Sequence, residues 1–183
     1  MTRHSLTKLS KFLSLVLRHR PEKIGLSLDT QGWANVDALL TAINKTGTEF
    51  TRETLEIIVT KDSKQRYSFS PDGKFIRANQ GHSIDIDLGL EVIPPPEFLY
   101  HGTAERFLPG IRQNGLQRKG RQHVHLSSDE QRAFTIGQRH GKPVVLVVLA
   151  LKMHIAGHKF YLSENGVWLT REVLAGYLFF PLI

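Results

Sequence analysis

Cysteine is absent from the 183 residues, which removes disulfide scaffolds, thiolate zinc sites and cysteine nucleophiles and fits a reducing, intracellular compartment. Long hydrophobic runs are missing too. The longest unbroken apolar stretch runs from Val144 to Leu151, far below the roughly 20 residues that a membrane-spanning helix needs. The apolar segment near the N-terminus is broken by Ser10 and Ser14 and meets no small-residue cleavage site, so no secretion signal is expected. Internal repeats and low-complexity tracts are lacking, as are an H-E-x-x-H pair and a G-x-G-x-x-G loop, which leaves a zincin-type metal or a Rossmann dinucleotide site without its usual signal. These absences leave a cytoplasmic protein with no membrane and no metal as the expectation; a monomer is expected beside it, although none of these absences sets the oligomeric state.

The chain does carry an excess of positive charge: a formal +7 and a pI near 9.8, with 40% hydrophobic residues. A polyanionic partner is compatible with that balance, although charge alone does not identify one. The three consecutive prolines Pro94, Pro95 and Pro96 favour a stiff extended connector. They divide the chain into residues 1–92, a linker at 93–96, and residues 97–183. The first part holds 13 Lys and Arg against 11 Asp and Glu, net +2, and the second 11 against 6, net +5, with six of the nine histidines.

In the first part Ser5 is placed to cap a helix whose Leu6, Leu9, Phe12, Leu13, Val16 and Leu17 repeat with helical period, and Pro21 ends it. A second helix follows Asn35 and stops near Gly47; a third starts near Thr51 with Leu55, Ile58 and Val59 inward. "RYSFS" and "KFIRA" then alternate around "PDG" as a β-hairpin. Three short helices and a hairpin predict a winged-helix lobe, an architecture used on nucleic acids and on proteins. The second part predicts a strand at "FLYHGT", a helix with Phe107, Leu108 and Ile111 closed by Gly115, a strand at "HVHLS", and a capping box in "SSDE" between Ser127 and Glu130. That helix is expected to end at Gly141. Strands at "VVLVVLAL", "KFYLS", "VWLT" and "GYLFFPLI" complete an α+β domain with a mostly antiparallel sheet, the eight-residue apolar strand at its centre.

Several polar clusters stand out against this frame. Arg18, His19 and Arg20 end the first helix, where cations offset exposed carbonyls by about 0.3–1 kcal/mol each. Arg66, entering the hairpin, and Arg121, after the loop "QRKGRQHVHLS", read singly as solvated surface charges. Taken with Arg18 and His19, they supply the donors that a phosphate dianion demands. His123 and His125 lie two apart and share a strand face, yet no third ligand accompanies them, so a structural or ligand-orienting role is favoured over metal. His101 sits where a strand turns towards a helix, beside Gly102, which would let a ligand approach the backbone, and the Thr103 hydroxyl. Asn79 to Ser83, "NQGHS", closes the hairpin and could touch an RNA backbone or form a plain turn. Trp33 and Trp168 read as packing residues.

"FLSLVLRHRPEKIGL", "GWANVDALL", "RYSFSPDGKFIRANQGHS", "FLYHGT", "IRQNGL", "HVHLSSDE", "RHGKPVVLVV" and "ENGVWLT" together resemble, in order and rough spacing, the NAD-dependent RNA 2'-phosphotransferases, from about Leu6 through Thr170. The resemblance implies a winged-helix RNA lobe and an ADP-ribosyltransferase-like NAD-binding lobe. It implies transfer of an internal RNA 2'-phosphate to NAD, as at a splice junction, with Arg18, His19, Arg66 and Arg121 catalytic. Around the dinucleotide it points to His101, Gly102, Thr103, His125 and Ser127. "ENGVWLT" places Val167 where many ADP-ribosyltransferases carry a glutamate; an acceptor that is already an anion would not need that carboxylate. Two rivals are an ADP-ribosyltransferase acting on terminal nucleic-acid phosphates or on a protein, and a non-catalytic winged-helix regulator that senses NAD.

Overall fold

The structure, a computed structural model, describes residues 3–181, with side chains from residue 6 onward. The chain forms two compact units, Met1–Gly89 and Leu90–Ile183, so the division falls shortly before the triple proline.

The first unit begins with α1 (Arg3–Arg18), whose buried Leu9, Leu13, Val16 and Leu17 form the apolar stripe expected from their spacing. The helix already includes Arg3, so an opening at Ser5 is too late by a turn; the Ser5 side chain lies outside the described residues. Water can satisfy the first amides of a helix without a side-chain cap. Pro21, which fits only a helix start, opens a separate short turn at Pro21–Ile24. β1 (Ala34–Asn35) leads directly into α2 (Val36–Asn44), where Asn35 Oδ1 accepts from the Ala38 amide at 2.9 Å. α3 (Arg52–Thr60) is capped in the same manner, Thr51 Oγ1 accepting from the Thr54 amide at 3.2 Å. β2 (Tyr67–Phe69) and β3 (Phe75–Ala78) form the expected antiparallel hairpin, and β1 pairs on the far side of β3, Ala34 opposite Ile76. Leu13, Leu17, Leu39, Ile43, Leu55 and Ile76 meet in one fully buried cluster.

The second unit contains β4 (Leu99–Ala104), α4 (Leu108–Asn114), β5 (Leu116–Gln117), β6 (Val124–Leu126), α5 (Glu130–Gly137), β7 (Pro143–Val148), α6 (Ala150–Ile155), β8 (Phe160–Leu162), β9 (Trp168–Thr170), β10 (Glu172–Val173) and β11 (Leu178–Phe179). All strand pairs are antiparallel, and β7 lies between β4 and β11 as the apolar run predicts. That run is nevertheless not one strand. Its last pair with β4 is Val148 opposite Leu99, the Leu149 amide turns to the Tyr177 carbonyl, and Ala150 starts α6, whose Ala, Leu, Lys and Met favour helix.

Two other boundaries also differ from expectation. Ser127 is still extended, exchanging both backbone hydrogen bonds with Tyr100. The cap of α5 therefore passes to Asp129, whose Oδ1 accepts from the Arg132 amide at 2.8 Å. α5 itself stops at Gly137, and a short turn, Gln138–His140, carries the chain to Gly141. α5 packs on β4 and β7 at unusually short range. A Cβ on Gly102 would stand 1.7 Å from the Ala133 carbonyl oxygen, and one on Gly137 2.6 Å from that of Thr103. Gly102 thus has a packing reason to be glycine, because helix and strand backbones touch there. Among the described residues no helix is long and apolar enough to cross a membrane.

Candidate active site

The first unit gathers three of the four residues expected to handle phosphate. Arg18 ends α1 and is only 8% exposed, its guanidinium 5.9 Å from the Tyr67 ring centroid. Tyr67 is fixed in turn, its hydroxyl donating to the Ser10 carbonyl at 2.9 Å. Burial pushes that hydroxyl's pKa up, against the pull of the Arg18 and, more weakly, the Arg66 charge. Both guanidiniums are therefore felt at one buried phenol.

His19 follows directly, its Nδ1 2.9 Å from Ser83 Oγ, while the Ser83 amide donates to the Arg18 carbonyl at 3.0 Å. Arg66 is half-buried and paired through Nη1 with Asp62, whose carboxylate also accepts the Arg66 amide at 2.7 Å and the Lys64 amide at 3.3 Å. A carboxylate partner on one face of a guanidinium fixes its plane and leaves further N–H groups for a second anion. Two further residues complete this region. Asp62 is legible in retrospect from its charge four residues before Arg66. His82 lies within the stretch "NQGHS" without standing out in it: it is 1% exposed, among the described residues neither ring nitrogen has a hydrogen-bond partner, and its pKa falls to about 4. Burial is the main cause, and the nearby Arg18, His19 and Arg77 charges act in the same direction.

The second unit assembles its set on β4, β6 and the loop before β6. The Tyr100–Ser127 bridge brings the two strands together. His101 Nδ1 lies 3.1 Å from the His125 carbonyl; a carbonyl only accepts, so Nδ1 carries the proton. Burial depresses the His101 pKa, partly offset by that hydrogen bond, and the ring is neutral at physiological pH. Arg121 is exposed, and its Nη1 donates to His125 Nδ1 at 3.0 Å, which places the neutral His125 proton on Nε2. Thr103 is buried beyond Gly102, and the Ser127 hydroxyl accepts from the Asp129 amide at 3.0 Å. His123 packs edge-on against Tyr161, ring centroids 5.7 Å apart. Among the described residues no three His, Cys, Asp or Glu side chains gather as a metal site would require.

Backbone strain marks the approaches to two of the arginines. Among the described residues the non-glycine positions with left-handed backbone are Gln65, next to Arg66, at φ 44°, and Lys119, two before Arg121, at φ 50°. Such residues cost of order 1–3 kcal/mol and persist where the surroundings over-determine them.

Comparison with known proteins supplies the family. Residues 4–172 match the model of the RNA 2'-phosphotransferase, Tpt1 / KptA family. Similar proteins, each named "Probable RNA 2'-phosphotransferase", occur in Rhodopirellula baltica, 51% identical with 96% of both chains covered, and in Pectobacterium carotovorum subsp. carotovorum, 53% identical over 94% of this chain and 92% of the relative. A third, from Streptomyces coelicolor, is 49% identical over 99% and 98% of the two chains. With the match reaching well into both compact units and covering every candidate site residue, the chain belongs to the RNA 2'-phosphotransferase family.

Proposed function

We propose that the phosphate acceptor is NAD, consumed as a co-substrate, and that the reaction runs in two steps. In the first, an oxygen of an internal RNA 2'-phosphate bonds to the anomeric carbon of the nicotinamide ribose as nicotinamide leaves. In the second, the adjacent ribose 2''-hydroxyl bonds to phosphorus as the RNA 2'-oxygen departs, giving 2'-hydroxyl RNA and ADP-ribose 1'',2''-cyclic phosphate. The first unit serves as a winged-helix RNA lobe and the second as an ADP-ribosyltransferase-like NAD lobe, in a cytoplasmic monomer.

The roles follow from charge. The nucleophile of the first step is already an anion, so no base is needed; it must be gathered and aligned. Arg18, Arg66 and Arg121 do that, and in the second step offset the charge spread over the equatorial phosphoryl oxygens. His19 orients and exchanges the proton that passes from the ribose hydroxyl to the RNA oxygen. The observation that carries the reading is the grouping of buried Arg18, His19 and the Asp62-held Arg66 within one unit of a family member. His101, Thr103, His125 and Ser127 suit a dinucleotide whose nicotinamide ring is cationic, because burial keeps His101 uncharged; Gly102 belongs to the same set and also lets β4, the strand of His101 and Thr103, pack closely on α5.

The test is incubation with NAD and a short RNA bearing one internal 2'-phosphate. The expected products are nicotinamide, ADP-ribose 1'',2''-cyclic phosphate and 2'-hydroxyl RNA in equal amounts. Removal of phosphate without NAD, or a stable ADP-ribosylated RNA as the end product of the wild-type enzyme, would overturn the reading.

A further inference from the structure

We infer that Ser83 is a positioning residue: it holds the His19 ring in place while leaving both imidazole tautomers available. The inference rests on the reading of His19 as the proton-exchanging group. Ser83 reaches two neighbours at once, its amide donating to the Arg18 carbonyl at 3.0 Å and its hydroxyl lying 2.9 Å from His19 Nδ1. The residue is itself exposed, yet the segment that carries it is anchored. Four residues earlier, Asn79 is 4% exposed, its amide donating to the Arg66 carbonyl and its Nδ2 to the Gln65 carbonyl, both at 2.8 Å. His82, directly before Ser83, is buried. One short segment therefore spans from the Arg66 backbone to the His19 ring.

The chemistry of the partner is what distinguishes this histidine. His101 rests on a carbonyl, which can only accept and so locks the proton on Nδ1. A hydroxyl accepts and donates. When Ser83 donates to Nδ1, the neutral ring carries its proton on Nε2; when Nδ1–H donates to Ser83, Nε2 presents a lone pair. A carboxylate in the same place would fix one tautomer and hold the imidazolium. In the second step the P–O bond to the ribose 2''-oxygen forms as the bond to the RNA 2'-oxygen breaks. The proton lost by the first oxygen is the one the second requires, so a ring that can take and give at Nε2 without leaving its place fits both halves.

The experiment compares wild type, Ser83→Ala and Ser83→Thr as full chains, with NAD and 2'-phosphorylated RNA, and records the ring nitrogens of His19 by NMR, assigned with His19→Gln. Ser83→Ala is expected to lower kcat about ten- to a hundredfold with KM for NAD changed less than about threefold, and Ser83→Thr to recover most of the loss. In wild type both His19 nitrogens should show averaged protonation whereas His101 shows a protonated Nδ1, and Ser83→Ala should shift the His19 signals. Unchanged His19 signals in Ser83→Ala, or wild-type kcat in that variant, would overturn the inference. A wild-type enzyme that fails to turn over this RNA would instead overturn the functional reading, and the His19 signals would still decide whether Ser83 governs the ring.

Discussion

The two units hold their candidate arginines in opposite ways. In the first, Arg18 is buried at a helix end beside Tyr67 and Arg66 is clasped by Asp62. In the second, Arg121 stands exposed on a loop, joined to His125. A buried guanidinium is fixed before substrate arrives but is also part of what keeps its unit folded, whereas an exposed one can be removed with little effect on the fold. The histidines repeat the contrast: among the described residues His82 is buried with no partner for either nitrogen, while His101 is buried on a carbonyl. Function and stability are thus entangled in the first unit and separable in the second.

The largest effects should come from the arginines. Arg18→Ala and Arg121→Ala are each expected to reduce turnover by more than about a hundredfold, with ADP-ribosylated RNA accumulating for Arg121→Ala. Only Arg18→Ala should also lower Tm, by about 2–4 °C, because an exposed side chain away from packed features contributes within about 0.5 kcal/mol. Equal Tm losses in the two variants would break the contrast, and wild-type turnover in Arg121→Ala would remove that residue from the reaction.

Acid should sharpen the comparison of histidines. The His82 pKa is lowered in the folded chain from 6.5 to about 4, so the unfolded state binds the proton more tightly. Stability tied to His82 is complete above pH 6.5 and is lost as pH falls towards 4, by roughly 3 kcal/mol in all. Denaturant unfolding between pH 4 and 8 should show this slope in wild type and a flatter one in His82→Leu; equal slopes would mean that His82 charges without penalty. A smaller effect is expected at the helix–strand contact of the second unit. Gly102→Ala should cost about 1–3 kcal/mol through forced separation of α5 from β4, and unchanged unfolding would show that α5 shifts freely.

Much of the fold is legible where local chemistry decides it. Asn35 and Thr51 each supply an oxygen to an amide three residues on, and α2 and α3 begin there. The hairpin follows from alternation around Pro71 and Gly73, and the central place of β7 from its unbroken apolar character. What was not legible depends on partners distant in the chain. The strand from Val144 stops at Val148 because its pairing with β4 ends there, a limit that no property of the run itself encodes. Ser127 loses the cap of α5 to Asp129 because Tyr100 holds it extended. The candidate site divides along the same line. Arg18, His19, Arg66 and Arg121 are grouped by the family resemblance, and Ser83 lies in the singled-out "NQGHS" stretch, while the part that Asp62 and Ser83 play in holding two of them emerges only once the backbone brings them near.

Gln65 and Lys119 add a mechanical consequence to their left-handed backbone. A residue kept in that conformation without being glycine swings back as soon as its restraints are cut, so each behaves as a sprung catch set just ahead of an arginine. For Gln65 one restraint is the amide of Asn79, fourteen positions along the chain. The aim of Arg66 is therefore hostage to a residue that bears no charge, and a neutral change just past the end of β3 can disarm it.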